Sequence, residues 1–178
     1  MKRTISLLTV LTFILALSGS AFAQTNVSAT ATVLTNISVT NNNDVNFGNI
    51  QQTSSPVIDP NGTNSDVTSN AVMGKLTISA STSTQLIVDW NQATVTLADG
   101  AGNNITYTPK VTANSTDNAS TSSVVSKNTA SAATATDATS GNLYIYIGGN
   151  LGSLSNQTAG TYTSTNGSGD LQFTVNYQ

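Results

Sequence analysis

Leu171-Gln172-Phe173-Thr174-Val175-Asn176-Tyr177, at the C-terminal end of the chain, sets an apolar residue at every second position with a polar one between. That rhythm predicts a strand with one face to bury and a row of backbone N–H and C=O groups to pair. Near the other end Val27, Ala29, Ala31 and Val33 keep the same spacing, and Thr35, Ile37 and Val39 continue it. Residues 24–39 therefore read as one long strand, or as two with a bend near Asn36. Two such strands at opposite ends of a small domain invite each other, within one molecule or between neighbours.

Between these ends the chain reads as a series of short strands. Asn41-Asn42-Asn43-Asp44 predicts a turn, because Asn and Asp tolerate left-handed backbone and hydrogen-bond their own neighbours. Val45, Phe47 and Ile50 around Gly48 predict a short strand with a bulge. Pro56, Pro60 and Gly62 mark residues 51–70 as a long surface loop. Strands are expected over 75–80, 85–90 and 93–97, then from Ile105 to Val111 after a hairpin signal at Asp99-Gly100. Residues 112–140 are rich in Ala, Ser, Thr, Asn and Asp and read as a loop with one edge strand at Val124-Val125. Leu143-Tyr144-Ile145-Tyr146-Ile147 suits a central strand ended by Gly148-Gly149. Eight to ten strands with no amphipathic helix after the leader predict an all-β fold, an antiparallel β-sandwich. Phe47, Trp90, Tyr162 and Tyr177 read as core or rim aromatics.

The first residues point to export. Lys2 and Arg3, an apolar run from Ile5 to Leu17, and Gly19-Ser20-Ala21-Phe22-Ala23 form the three parts of a secretory signal peptide, a cleaved N-terminal signal helix. Cleavage is expected between Ala23 and Gln24, with Ala21 as the second small residue of the site. The apolar run falls short of the roughly 20 residues of a membrane span, so no span is expected once the signal is removed. The expected organisation is 1–23 signal peptide, 24–39 N-terminal strand, and 40–178 sandwich domain.

Composition narrows the function classes. Residues 24–178 carry Lys75, Lys110 and Lys127 against eight aspartates, a formal charge of −5, and the chain has no Glu, His or Cys. Nucleic acid needs a concentrated basic face and is not an expected partner. Without His or Cys the usual general base, thiol chemistry and common zinc ligands are missing, so an enzyme is not expected and no cofactor is implied. Asp59, Asn61, Asn64 and Asp66 around Gly62 have an oxygen spacing that suits Ca²⁺. Ordinary loop chemistry accounts for the same residues, and no metal site is expected. The Asn-x-Ser/Thr triplets matter only in a host that glycosylates them.

Three segments carry a resemblance: Asp44-Val45-Asn46-Phe47-Gly48-Asn49-Ile50, Ala159-Gly160-Thr161-Tyr162, and the closing Phe173-Thr174-Val175-Asn176-Tyr177. Their order and spacing over residues 26–178 resemble a pilin-like family of secreted bacterial domains of unknown function, related to fimbrial subunits of the chaperone–usher type and to spore-coat-like pilins. The resemblance implies an immunoglobulin-like sandwich lacking one strand, completed by the N-terminal extension of the next subunit. It implies a structural subunit of an extracellular filament. Partners would be copies of itself, a periplasmic chaperone and an outer-membrane assembly protein. Tyr177 stands where such subunits carry a penultimate tyrosine. Val27, Ala29, Ala31, Val33, Ile37 and Val39 become candidates for the donor strand, and Leu171, Phe173, Val175 and Tyr177 for the C-terminal strand that receives it. Extended at about 3.3 Å per residue, residues 24–39 span roughly 50 Å, against a radius of gyration of about 15 Å for a compact domain of this size, so the segment could reach a neighbour. The other reading is a self-complemented secreted binding or matrix module, in which the same segment is the first strand of its own sandwich.

Overall fold

The computed structural model of the chain describes residues 28–127, 135–155 and 157–178. The expected signal segment 1–23, with Ala21 and Ala23, and also Gln24 and Val27 lie outside the described residues. The chain divides into two units, Met1–Val33 and Leu34–Gln178. Every described strand belongs to the second: β1 (Ser38–Asn43), β2 (Val57–Ile58), β3 (Gly74–Ser79), β4 (Leu86–Trp90), β5 (Val95–Ala98), β6 (Asn104–Asn114), β7 (Ser123–Val125), β8 (Asn142–Asn150) and β9 (Phe173–Tyr177). Among the described residues the only helical element is a single 3-10 turn, Ala119–Thr121, and all strand pairings are antiparallel.

Seven strands form one sheet along the path β1-β3-β8-β6-β5, with β2 added to β8 and β7 to β6, while β4 and β9 form a sheet of two. The apolar run around Ile145 explains why β8 is central. Leu143, Ile145 and Ile147 face the core, and Tyr146 on the opposite side is only 3% exposed. Its hydroxyl donates to Asp117 Oδ1 at 2.8 Å, and Asp117 also accepts from Lys75 Nζ at 2.6 Å. A strand covered on both faces has no need of polar alternation.

The main core joins the two sheets. Leu76 and Ile78 of β3, Val111 and Ala113 of β6 and the inner face of β8 meet Leu86, Val88 and Trp90 of β4. A second cluster gathers Phe47, Ile58, Val95, Ile105, Tyr107, Leu151 and Leu154, with Phe47 edge-on to Tyr107 at 5.6 Å. The Tyr107 hydroxyl donates to the carbonyl of Gly148 at 2.6 Å in the interior.

Four expectations change. Gly148-Gly149 does not end β8, which runs on to Asn150; a Cβ at Gly148 would lie 2.2 Å from the Ile58 carbonyl oxygen and one at Gly149 2.1 Å from that of Thr108. Bare backbone there lets β2 and β6 approach the two sides of β8. Residues 51–70 are not wholly loop, since Val57 and Ile58 pair with Asn150 and Gly149. Asn41–Asn43 belong to β1 and are not a turn, although the register slips there and Asn41 Nδ2 donates to Asp44 Oδ1 at 2.8 Å; the local Asn–Asp bonding ends the strand later than expected. Finally, residues 28–37 carry no strand, and pairing begins at Ser38. Asp99 does build the expected hairpin turn, accepting from the backbone of Ala101 and from both nitrogens of Asn103.

Candidate strand-pairing site

A sheet of two strands has two open edges, and the register shows what β9 presents at its own. Gln178 N donates to Gln85 O and Asn91 N to Gln172 O. Antiparallel alternation then makes Ile87–Asn176 and Asp89–Thr174 the mutually bonded pairs. The peptide groups of Phe173, Val175 and Tyr177 consequently point away from β4, toward an edge that no second strand occupies among the described residues. Their side chains are half-buried, with Thr174 and Asn176 exposed between them. Leu171, Phe173, Val175 and Tyr177 all pack on the main core from its margin.

The other sheet edges are managed differently. At β5, Ser168 N donates to Thr96 O, Thr96 N to Ser168 Oγ, and Ala98 and Thr163 exchange both backbone bonds, so residues 163–168 cover that edge. β1 is exposed at all six positions, rich in Asn and irregular in register. β7 has only three residues. Short, bulged, polar or covered edges do not recruit further strands. β4 also pairs with β9 alone, but its Leu86, Val88 and Trp90 are 0%, 2% and 5% exposed, which leaves no apolar surface there to cover. Among the described strands, β9 is the one that sets an open backbone edge beside three alternate apolar side chains left half-covered.

Tyr177 closes the strand with a second role. Its hydroxyl donates to the carbonyl of Thr35 at 2.6 Å and accepts from the backbone N–H of Ser81 at 2.9 Å. Thr35 N in turn donates to Ser81 Oγ at 2.8 Å. Burial pushes the phenol up, yet the hydroxyls of Ser81 and Thr35 and the Ser81 N–H around its oxygen outweigh it and hold Tyr177 below its usual pKa. At the opposite end of β9, Phe173 lies 5.9 Å from Trp90, whose buried indole N–H has no hydrogen-bond partner among the described residues.

The candidate donor residues separate into two groups. Ala29, Ala31 and Val33 are exposed, Val33 at 93%. Ile37 packs on the main core, and Val39 sits in β1 opposite Ile78 at 46% exposure. Ile37 and Val39 thus already serve their own domain. Ser81 was not legible as a partner of Tyr177, because 96 residues separate them and a serine in a Ser/Thr-rich turn carries no local signal.

The oxygen-rich loop is used internally. Asp59 Oδ1 pairs with Lys110 Nζ at 2.5 Å, Asn64 Oδ1 accepts from Asp59 N, Asn61 Nδ2 donates to Ser122 O, and Asp66 Oδ2 accepts from Ser55 N. A cleft of about 280 Å³ between β6 and residues 150–157 is lined by Asn104, Thr106, Thr108, Asn150, Ser153 and Gln157 with three aliphatic side chains, and carries no ionisable group. Tyr144, half-buried on the outer face of the large sheet, has Lys75 Nζ 5.3 Å over its ring. No protein-family model matches the chain, and no curated protein matches it.

Proposed function

We propose that this chain is a structural subunit of an extracellular filament, exported by its leader and assembled by β-strand complementation between copies, on an immunoglobulin-like sandwich that lacks one strand. The observation that carries this reading is the β9 edge: outward-facing peptide groups at Phe173, Val175 and Tyr177 beside half-covered apolar side chains. An added strand would pair those groups and cover those side chains together. Val27, Ala29, Ala31 and Val33 have the matching period, and residues 28–33 are spent on no strand of their own domain. Because donor and acceptor are different surfaces of one molecule, the contact is heterologous and builds an open chain. The resemblance to pilin-like domains supports the same reading, and with it a periplasmic chaperone and an outer-membrane assembly protein as partners.

A second reading, the self-complemented binding or matrix module, draws on the Tyr177–Thr35 bond, which ties the root of the N-terminal segment to the C-terminal strand of the same molecule. One comparison separates the two. Mature 24–178 and a version lacking 24–33, cut at the boundary between the two units, are compared by light scattering after size exclusion, negative-stain electron microscopy and the fluorescence of Trp90, the one tryptophan. Filaments from the full chain alone, with a folded monomer from the shortened one, are the expected result. Full-chain monomers at every concentration, with unfolding of the shortened chain, would sink the filament reading and favour the closed module.

A further inference from the structure

The geometry points to a clamp: Tyr177 and Ser81 together grip Thr35 and fix the place at which the N-terminal segment leaves the domain. Three hydrogen bonds make a closed circuit through residues far apart in sequence. The Tyr177 hydroxyl donates to Thr35 O at 2.6 Å, Ser81 N donates to the same hydroxyl at 2.9 Å, and Thr35 N donates to Ser81 Oγ at 2.8 Å. Both backbone groups of Thr35 are thereby held by side chains, and the Tyr177 hydroxyl serves as donor and acceptor at once, its full capacity for directed bonding. The clamp lies just inside the second unit, one residue after its start at Leu34. It is the last described hold on the chain before the exposed residues 28–33.

The position of the clamp restricts what that segment can do, and this part rests on the strand-complementation reading. Tyr177 is the C-terminal residue of β9, and Phe173, at the far end, is about 13 Å away at roughly 3.3 Å per residue. With Thr35 held beside Tyr177, the chain's own residues 28–34 could lie along β9 only by running from Phe173 toward Tyr177, in the parallel sense. Antiparallel pairing would need Leu34 near Phe173, beyond the reach of one peptide link from Thr35. Parallel pairing is somewhat weaker per residue. While the clamp is closed, an antiparallel strand on this edge is therefore not the chain's own residues 28–34, and on the strand-complementation reading it comes from a second copy. Tyr177 and Ser81 act as positioning residues for the arm, separate from any apolar contact the Tyr177 ring makes with an incoming strand.

Two variants of the mature full-length chain test the clamp, because each leaves a different amide without its acceptor. Tyr177→Phe deprives Ser81 N–H of its acceptor, and Ser81→Ala deprives Thr35 N–H of its acceptor. In the monomer, hydrogen exchange should quicken at least about tenfold at the Ser81 amide in the first variant and at the Thr35 amide in the second, with the Ile145 amide of β8 unmoved. Proteinase K should trim the wild type to about Leu34 and both variants to Ser38 or beyond. Exchange unchanged at both amides, or quickened equally at Ser81, Thr35 and Ile145, would overturn the clamp, since the first denies the bonds and the second reports only general loosening. These readouts need no filament. A wild type that never assembles but shows the crossed exchange pattern sinks the filament reading and leaves the clamp standing, and filaments without the crossed pattern do the reverse.

Discussion

The large sheet and the small one use the same alternating grammar to different ends. β8 has strands on both sides along most of its length, and its inner residues Leu143 and Ile145 are fully buried. In β9 one side of the backbone has β4, and the inner residues stop at half-burial. The large sheet saturates its central strand; the small one has room for another strand. A domain built this way can remain folded through its saturated part while its unsaturated part stays available, which is what a subunit that folds before it assembles requires.

The largest effect on the domain itself should come from the saturated region. Ile145→Ala removes a side chain of 0% exposure from the centre of the core and should cost about 2–5 kcal/mol. Val175→Ala, half-buried in β9, should cost about 1 kcal/mol, from two methyl groups that are only partly removed from water. Urea denaturation of both monomers measures the contrast. Equal losses would mean that β9 is already as well packed as β8 and has no need of a further strand.

Next comes the buried hydroxyl that joins the second core cluster to β8. Tyr107→Phe leaves the interior carbonyl of Gly148 without its donor and should cost about 1–3 kcal/mol. Alkali reaches the same bond. Burial raises the pKa of Tyr107, and burial together with Asp117 raises that of Tyr146. Above the ordinary tyrosine value of 10.0 the unfolded chain releases protons that the native state retains. The contribution of both tyrosines to stability is therefore full below pH 10 and is lost as pH rises beyond it. Thermal melts across that range should show a smaller fall in the Tyr107→Phe variant; an identical fall would remove Tyr107 from the account.

The elements that sequence revealed best were those whose burial follows from a local period. The 75–80 and 85–90 strands and the C-terminal strand stand close to where alternation puts them, the 143–147 strand stands where its continuous apolar run puts it, and the Val124-Val125 edge strand is present as β7. The period also misled, since residues 28–37 alternate as regularly as β9 and yet form no strand in the isolated chain. Alternation records a capacity to pair, and whether the partner lies in the same molecule depends on which edges are open. Edge occupancy is a tertiary property: the cover over β5 comes from residues 163–168, and the hold on Thr35 comes from Ser81 and Tyr177. The glycines of β8 failed for a related reason, because what surrounds Gly148 and Gly149 is backbone contributed by β2 and β6.

A smaller and more diffuse effect is expected in acid. Asp117 is held below its usual pKa by its hydrogen bond from Lys75 and then by Tyr146, Asp99 by Asn103 and Ala101, and Asp137 by the backbone of Ser140 and Thr139. Each favours the native state above the ordinary carboxylate value of 3.8, and that contribution is lost as pH falls through and below it. With no histidine in the chain, stability should be nearly level between pH 5 and 8. A step inside that window would point to a titrating group that none of these contacts explains. Because all three carboxylates face solvent, the loss on the acid side should be gradual and reduced by salt.

The smallest effect on the domain should accompany the largest effect on assembly. Val33 is 93% exposed, so Val33→Asp should leave the monomer within about 0.5 kcal/mol of wild type. If Val33 enters an apolar site on a neighbouring copy, however, the carboxylate must leave water without a partner, a penalty large enough to prevent insertion. The expected outcome is an unchanged melting temperature and no filaments, read by calorimetry and electron microscopy on the same preparation. Filaments as abundant as those of wild type would show that the alternating N-terminal segment is not the strand that β9 receives. Val39→Asp sharpens the result, because Val39 is also exposed, at 46%, but already committed to β1. A charge there should leave assembly intact, and its loss would move the intersubunit contact from the arm to the face of the large sheet.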